Sequence, residues 1–119
     1  MFWIRADKEF FERMLLLDLP RNPRRVLDAL MVRARFGNYV TASYAELTKM
    51  TNIGETHISA AMSLLAKHDL VVRIGRGKYM VNPMYCFMGD GDTRFAALGM
   101  YSDAKRKQAD KRSRKEADK

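Results

Sequence analysis

The part of the sequence that most constrains the fold is residues 43–81, where two helical patterns and a hairpin pattern follow one another with almost no linker. The first helix should begin at a capping box, because Ser43 is followed three residues later by Glu46. This helix is short, and residues 51–54 form a tight turn behind it with Ile53 as an apolar plug. Two helices joined by so tight a turn make a helix-turn-helix.

The second helix of this pair is predicted from residue 55 to about residue 68. Apolar side chains recur along it three and four residues apart, which is the spacing of a helix with one side in a core. This inward stripe consists of Ile58, Ala61, Met62 and Leu65. The opposite side of the helix is left to solvent or to a partner.

The string LVVRIGRGKYMVNP, residues 70–83, comes directly after this helix. Its two β-branched runs flank Gly75-Arg76-Gly77, which predicts a hairpin with Arg76 at its tip. Helix, turn, helix and hairpin in this order are typical of a winged helix-turn-helix, in which the hairpin is the wing. The sequence therefore predicts a mainly α fold with a small β-hairpin.

Further helices are predicted on either side of this unit. Asp7 is the expected N-cap of a helix over residues 8–18. Asn22 followed by Pro23 predicts the start of another helix, which Gly37 should end in the left-handed conformation. The remaining expectations are an extended link over residues 38–42, a strand or irregular segment over 84–88, and a last helix over 93–101.

A change of composition at residue 103 predicts a domain over residues 1–102 and a tail over residues 103–119. The tail holds eight Lys or Arg, four acidic residues and no large apolar side chain. Such a segment cannot offset its ordering entropy by burial, so we expect it to be disordered or a solvated, frayed helix. Its basic residues could act as a nonspecific phosphate arm or serve only solubility.

The charge balance favours an anionic partner such as nucleic acid. The chain of 119 residues carries 22 Lys and Arg against 14 Asp and Glu, a formal net charge of +8. Its single cysteine, Cys86, cannot form an internal disulfide, and no apolar run is long enough to span a bilayer. We therefore expect a cytoplasmic protein without a membrane partner.

The outward side of the second helix and the wing together suggest contact with duplex DNA. Side chains on this side of the helix are small, mostly polar and free of acidic charge, as a helix in a major groove requires. An ordinary solvent-exposed helix face can have the same composition. The wing adds three cations that could reach the minor groove or its phosphates, unless the hairpin is simply solvated. The predicted DNA-binding residues are Thr56, His57, Ser59, Ala60, Ser63, Lys67, Arg73, Arg76 and Lys78.

Motifs for catalysis, metals or cofactors are weak. His57 and His68 stand eleven residues apart without a carboxylate or thiol at ligand spacing, and Asp90 with Asp92 is better explained by a turn than by a calcium loop. No nucleophile, base and orienting acid occur at a readable spacing. We therefore expect a protein that is not an enzyme and that uses neither metal nor cofactor.

Residues 43–90, SYAELTKMTNIGETHISAAMSLLAKHDLVVRIGRGKYMVNPMYCFMGD, resemble the winged-helix replication initiators of the RepL type found on plasmids. The similarity lies in the helix-turn-helix, the arginine-tipped wing and the segment that begins at Asn82-Pro83, and it extends over residues 38–101. It implies a non-enzymatic protein that binds an origin or promoter and recruits host replication proteins. By position, the resemblance implies that the DNA-facing residues are Thr56, His57, Ser59, Ala60 and Ser63 on the helix, and Arg73, Arg76 and Lys78 on the wing.

The sequence as a whole predicts a sequence-specific double-stranded DNA-binding protein in plasmid or phage replication initiation or control. Weak readout by one protomer, about 1–3 kcal/mol for each base read, favours a homodimer. Phe2, Trp3 and Phe10 could line its interface or belong to the core. The alternatives are a winged-helix transcriptional repressor, and an adaptor that uses the same fold to bind protein without DNA. An RNA-binding module is disfavoured, since no aromatic pair is placed for base stacking.

Overall fold

The computed structural model describes residues 4–6, 8–89 and 91–117, and these form five helices and five short strands. In chain order the elements are β1 (Ile4–Ala6), α1 (Lys8–Leu17), α2 (Arg21–Arg33), β2 (Tyr39–Thr41), α3 (Tyr44–Thr51), α4 (Glu55–Lys67), β3 (Val71–Gly75), β4 (Lys78–Val81), β5 (Cys86–Met88) and α5 (Gly91–Ala117). The expected N-cap Asp7, the aromatic residues Phe2 and Trp3, and Asp90 lie outside the described residues.

The strands form two antiparallel sheets. The larger one has three strands in the order β2-β4-β3, with Val40 opposite Tyr79 and Val72 opposite Met80. In the smaller one β1 pairs with β5. The hairpin β3–β4 confirms the predicted wing, and β2 is a third strand where we expected only an extended link. A three-residue strand is too short to show the alternating side-chain pattern by which a strand is recognised in a sequence. This segment becomes a strand because β4 lies beside it and pairs with it.

The main core lies between α2, α3, α4 and one side of the three-stranded sheet. Its most deeply buried side chains come from these helices and are Val26, Leu27, Leu30, Leu47, Ile58 and Leu65. All four residues of the predicted α4 stripe are buried. Phe10 is 3% exposed and belongs to this core, not to a surface.

A second, smaller core joins the three-stranded sheet to the start of α5. It contains Val72 and Met80 from the sheet, Phe87 from β5, and Ala97 and Tyr101 from α5. The long C-terminal helix is therefore fixed to the sheet that carries the wing.

The capping box predicted at the start of α3 is confirmed. The Ser43 hydroxyl accepts a hydrogen bond from the backbone N–H of Glu46 at 3.1 Å, and the Ser43 backbone N–H donates to the Glu46 carboxylate. Arg33 of α2 also pairs with that carboxylate. The backbone N–H of Ser43 and the Arg33 guanidinium hold the pKa of the Glu46 carboxyl below its ordinary range. The box therefore sets both where α3 begins and how it meets α2.

Two predicted ends of α2 are wrong. The helix begins at Arg21 with Pro20 as its N-cap, so Asn22 is not the cap and Pro23 is the third helical residue. Proline is accommodated there because the first-turn N–H groups have no partner within the helix. The helix ends at Arg33, before the expected stop at Gly37. Gly37 instead has φ +84° within the turn that leads to β2.

The last helix is much longer than residues 93–101. It runs from Gly91 to Ala117 and so includes most of the segment that we expected to be disordered or a solvated, frayed helix. Tyr101 is buried, and Ala104 packs against the second core. Independence of a tail from residue 103 onward stays a prediction.

The order of helices and strands from α2 to β4 is consistent with a winged helix: a helix, a short strand, two helices joined by a tight turn, and a hairpin that pairs with the short strand. The fold is mainly α with a small antiparallel sheet, as predicted. None of the helices in the described residues is both long enough and apolar enough to cross a membrane.

Candidate nucleic-acid interface

The turn between α3 and α4 determines how α4 is presented. Asn52 ends α3 in the left-handed conformation with φ 59°, and its backbone N–H donates to Thr48 O at 2.7 Å. Ile53 follows and is 7% exposed, so the predicted plug is confirmed. Gly54 is the N-cap of α4. With one side of α4 held by its buried stripe, the other side has to face outward.

The six predicted contact residues of α4 are all exposed. None of them carries a negative charge, and the only acidic residue of the helix is Glu55 in its first turn. These six are Thr56, His57, Ser59, Ala60, Ser63 and Lys67.

The wing is a short hairpin whose tip is tied to the body of the protein. Strand pairing shifts between Arg73 and Gly75, so the hairpin contains an irregularity just before its tip. Gly77 has φ +67°, a conformation that favours glycine, and its carbonyl accepts a hydrogen bond from Ala42 N–H at 3.0 Å. This bond connects the wing to the segment that leads into α3.

The three predicted wing cations are exposed as well. Arg73 donates from Nε to Gly75 O at 3.2 Å, a contact within its own strand. Neither Arg76 nor Lys78 forms a salt bridge with any residue that the structure describes. Their charges are therefore available to an external anion.

A groove brings α4, the wing and α5 together, and we call it the basic groove. Ser63 of α4 and Arg73 of β3 both line it, so two predicted contact residues from different elements share one concavity. Its lining includes Arg73 and Lys111 and no acidic residue. The residues that line it are Tyr44, Met62, Ser63, Ala66, Val71, Arg73, Tyr79, Gln108 and Lys111.

Other predicted residues lie elsewhere on the surface. His57 and Ala60 border a second depression, formed with the first turn of α2, where Arg21 is also found. Thr56, Ser59, Lys67, Arg76 and Lys78 line neither of these two depressions. The predicted DNA-binding residues are thus spread along the outer side of α4 and the wing, and only some of them line a depression.

Tyr79 and Tyr44 supply hydroxyl groups at the basic groove. Burial raises the pKa of Tyr79 to about 12, and the neighbouring Tyr44 adds to this effect. The Tyr79 hydroxyl therefore stays uncharged well above neutral pH, and the Tyr44 hydroxyl is one of its hydrogen-bond partners. A groove with cations and neutral donors is suited to an oxyanion such as a phosphate.

The helix α5 is held beside the groove by polar contacts. Tyr101 Oη donates to Asp69 Oδ1 at 3.0 Å, and Lys105 Nζ lies 3.1 Å from Asp69 Oδ2. Gln108 Nε2 donates to the backbone carbonyl of Arg73 at 3.0 Å. Asp69 joins α4 to β3 in the left-handed conformation with φ 61°. The short segment around Asp69 therefore joins α4 to the wing and also holds α5 in place.

Gln108 was missed as a groove residue, as was Arg21 beside α4, and Lys111 was expected only as part of a nonspecific phosphate arm. A signal for Gln108 does exist, since Ala97, Tyr101, Ala104 and Gln108 follow at intervals of four, three and four residues. This spacing is helical, but two alanines and a glutamine are too small or too polar for it to be read as a core stripe. No comparable signal marks Arg21.

Metal ligands do not cluster in the part of the chain that the structure describes: no three His, Cys, Asp or Glu side chains there are grouped so as to hold an ion.

Comparison with known proteins gives one informative result. No curated protein and no solved structure matches the chain. The sequence profile described as Firmicute plasmid replication protein (RepL) matches residues 20–119, which include every element from α2 to α5. That match covers most of the chain and confirms the resemblance seen in the helix-turn-helix and the wing. The chain belongs to the family of Firmicute plasmid replication proteins (RepL).

Proposed function

We propose that this protein binds double-stranded DNA in the initiation or control of plasmid replication, with α4 in the major groove and the wing beside it. The observation that carries the proposal is the basic groove, in which Ser63 of α4, Arg73 of the wing and Lys111 of α5 line one concavity without an acidic side chain. A phosphate backbone is the ligand whose charge and shape suit such a surface.

The dimensions of α4 fit the major groove. Its 13 residues make a helix about 20 Å long, and a major groove about 12 Å wide accepts a helix. Ser59, Ala60 and Ser63 are exposed and small, so the helix backbone can come close to the base edges. Hydroxyl groups and a single imidazole read bases less selectively than Arg or Asn would, so each protomer should discriminate modestly.

The wing supplies charge at a fixed place. Arg76 stands next to Gly77, whose carbonyl is bound by Ala42 N–H, so the position of the tip is set by the fold. An arginine in this position can enter a minor groove or pair with a phosphate. Lys78 adds a second cation on the same hairpin.

The C-terminal helix contributes a further phosphate contact. Lys111 borders the basic groove, and Gln108 and Lys105 hold α5 to the wing strand and to Asp69. A contact from a docked helix has a defined position along the duplex, which a flexible arm would lack. The remaining parts of the proposal are a cytoplasmic, non-enzymatic protein that acts as a homodimer and recruits host replication proteins.

The test is a comparison of duplex binding by wild type and Arg76→Ala. A binding site is first selected from a randomised double-stranded DNA library, and affinity for it is then measured by fluorescence anisotropy at several salt concentrations. Loss of one phosphate contact should weaken binding by about 5- to 50-fold and reduce the slope of log affinity against log salt by about 1. Lys111→Ala should act in the same direction.

Arg24→Ala is the matched control, because this exposed arginine of α2 pairs with Asp28 and belongs neither to α4, nor to the wing, nor to the basic groove. It removes the same charge and should leave affinity close to that of wild type. Equal binding by all three variants and wild type would contradict the proposed surface. Failure to select any duplex would favour the adaptor, whereas site binding that represses a reporter without supporting plasmid replication would favour the repressor.

A further inference from the structure

We propose that Arg21, in the first turn of α2, is a second phosphate contact, which binds the DNA strand on the side of α4 opposite the basic groove. This proposal rests on the proposed function, because it takes α4 to lie in a major groove. It adds a residue and a side of the helix that the predicted DNA-binding residues do not include. The helix α4 then lies between two phosphate contacts.

The exposed side of α4 has a depression on each of its two flanks. The basic groove lies on the flank that includes Ser63 and Ala66. The second depression lies on the flank that includes His57 and Leu64, and the first turn of α2 completes it. At 100° per residue these two flanks point about 140° apart around the helix axis, with the exposed Lys67 midway between them. The two depressions are therefore on opposite sides of the ridge that faces solvent.

A helix that lies in a major groove has a sugar–phosphate backbone on each side of it. The groove is about 12 Å wide and a helix with its side chains is about 10–12 Å in diameter, so both backbones come within reach of groups that flank the helix. Contacts to these phosphates fix the position of a protein on the duplex. With α4 in the groove, the basic groove meets one backbone and the second depression meets the other.

Arg21 is the cation of the second depression. Its side chain is exposed, and it forms no salt bridge with any residue in the described part of the chain. None of the residues that line the depression is acidic. His57 lies on the α4 side of the same depression and offers a ring N–H as a further donor. The charge and the donors of this flank therefore suit a phosphate, as those of the basic groove do.

The packing of α2 against α4 gives Arg21 a defined place. Pro23 of α2 and Ala61 of α4 are both buried, and both line the second depression. Further along α2, Val26 and Leu27 belong to the same core as Ile58 of α4. The backbone at Arg21 is thus fixed beside α4, and an exposed guanidinium there can pair with a phosphate through two hydrogen bonds.

The first experiment measures affinity for the selected duplex by fluorescence anisotropy at several salt concentrations. Arg21→Ala should weaken binding by about 5- to 50-fold and lower the slope of log affinity against log salt by about 1. Arg21→Lys keeps the charge, so its slope should stay that of wild type. Thermal unfolding checks that both variants are folded.

Arg24→Ala is again the matched control, now within the same helix. Arg24 follows Arg21 by three residues, but it pairs with Asp28 at 3.3 Å and does not line the second depression. Its removal takes away the same formal charge and should leave affinity close to that of wild type. The two variants therefore distinguish a phosphate contact from a general effect of positive charge.

The second experiment identifies the phosphate. Each phosphate of the selected duplex is replaced in turn by an uncharged methylphosphonate, on both strands, and the loss of affinity is measured at each position. A position that matters to wild type but not to Arg21→Ala marks the phosphate that Arg21 contacts. We expect this phosphate on the opposite side of the major groove from the one that Lys111→Ala identifies in the same way.

Equal affinity of Arg21→Ala and Arg24→Ala would overturn this proposal, as would one phosphate that Arg21 and Lys111 share. If Arg76→Ala and Lys111→Ala weaken binding while Arg21→Ala does not, the second contact is wrong and the proposed function stands. Unchanged binding by all three variants, or failure to select any duplex, would overturn both proposals.

Discussion

The helices α4 and α5 both border the basic groove, but they are held there by different forces. The helix α4 is fixed by fully buried apolar side chains, among them Ile58 and Leu65. Beyond Ala104, which still packs against the second core, α5 is fixed by a hydrogen bond from Gln108, and an ion pair from Lys105 adds to it; both are partly in solvent. Burial of a large apolar side chain stabilises by several kcal/mol, whereas exposed polar contacts contribute about 1 kcal/mol or less. The α4 edge of the groove is therefore part of the core, whereas the α5 edge can move without unfolding of the protein.

The largest effect should come from the core side of α4. Leu65→Ala removes a side chain that is 0% exposed, and it should lower the free energy of unfolding by about 2–5 kcal/mol. Urea denaturation followed by circular dichroism measures the change. Val32→Ala on the surface of α2 is the control and should stay within about 0.5 kcal/mol of wild type. Similar unfolding midpoints for the two variants would mean that α4 is not held by its buried stripe.

An intermediate effect is expected at Tyr101, where α5 leaves the second core. Tyr101→Phe loses the hydrogen bond to Asp69 and should cost about 1 kcal/mol at pH 8. Burial, and then the Asp69 carboxylate, raise the pKa of Tyr101 in the folded protein. The stability that this hydroxyl provides is therefore complete below the ordinary tyrosine pKa of about 10 and is lost progressively as the pH rises above it.

The difference in stability between wild type and Tyr101→Phe should accordingly shrink above about pH 10, since only wild type carries this ionisable hydroxyl. Urea denaturation at pH 8 and at pH 10.5 provides the comparison. A difference that stays constant across this range would show that the hydroxyl is not protected by burial.

The smallest effect on overall stability is expected at Gln108. Gln108→Ala removes the hydrogen bond to the Arg73 carbonyl and should change the free energy of unfolding by no more than about 0.5–1 kcal/mol. Amide hydrogen exchange should nevertheless become faster in α5 after residue 103 and stay unchanged in α4. Asp110→Ala, at an exposed position of the same helix, is the control. Equal loss of protection in α4 and α5 would show that the two helices open as one unit.

Local sequence patterns were sufficient for the elements that bury a regular apolar stripe or begin with a specific cap. They predicted the capping box at Ser43, the α4 stripe from Ile58 to Leu65, and the hairpin around Gly75-Arg76-Gly77. They failed at the ends of α2. The helix begins at Arg21 and ends at Arg33, although Asn22 has the pattern of an N-cap and Gly37 that of a helix stop. Caps and turns compete locally, and packing decides between them.

The candidate site divides in the same way. The sequence alone determined which residues of α4 turn away from the core, because the helical period and the apolar stripe leave them no other direction. Only the tertiary structure decided that Ser63, Arg73 and Lys111 line one groove, and that Gln108 joins α5 to the wing. Those residues are far apart along the chain, and their meeting depends on the left-handed turn at Asp69 and on the contacts of Tyr101 and Asn82 with it. Contacts between distant positions leave no periodic trace in a single sequence, so the sequence could define the surface of α4 but not the groove to which it belongs.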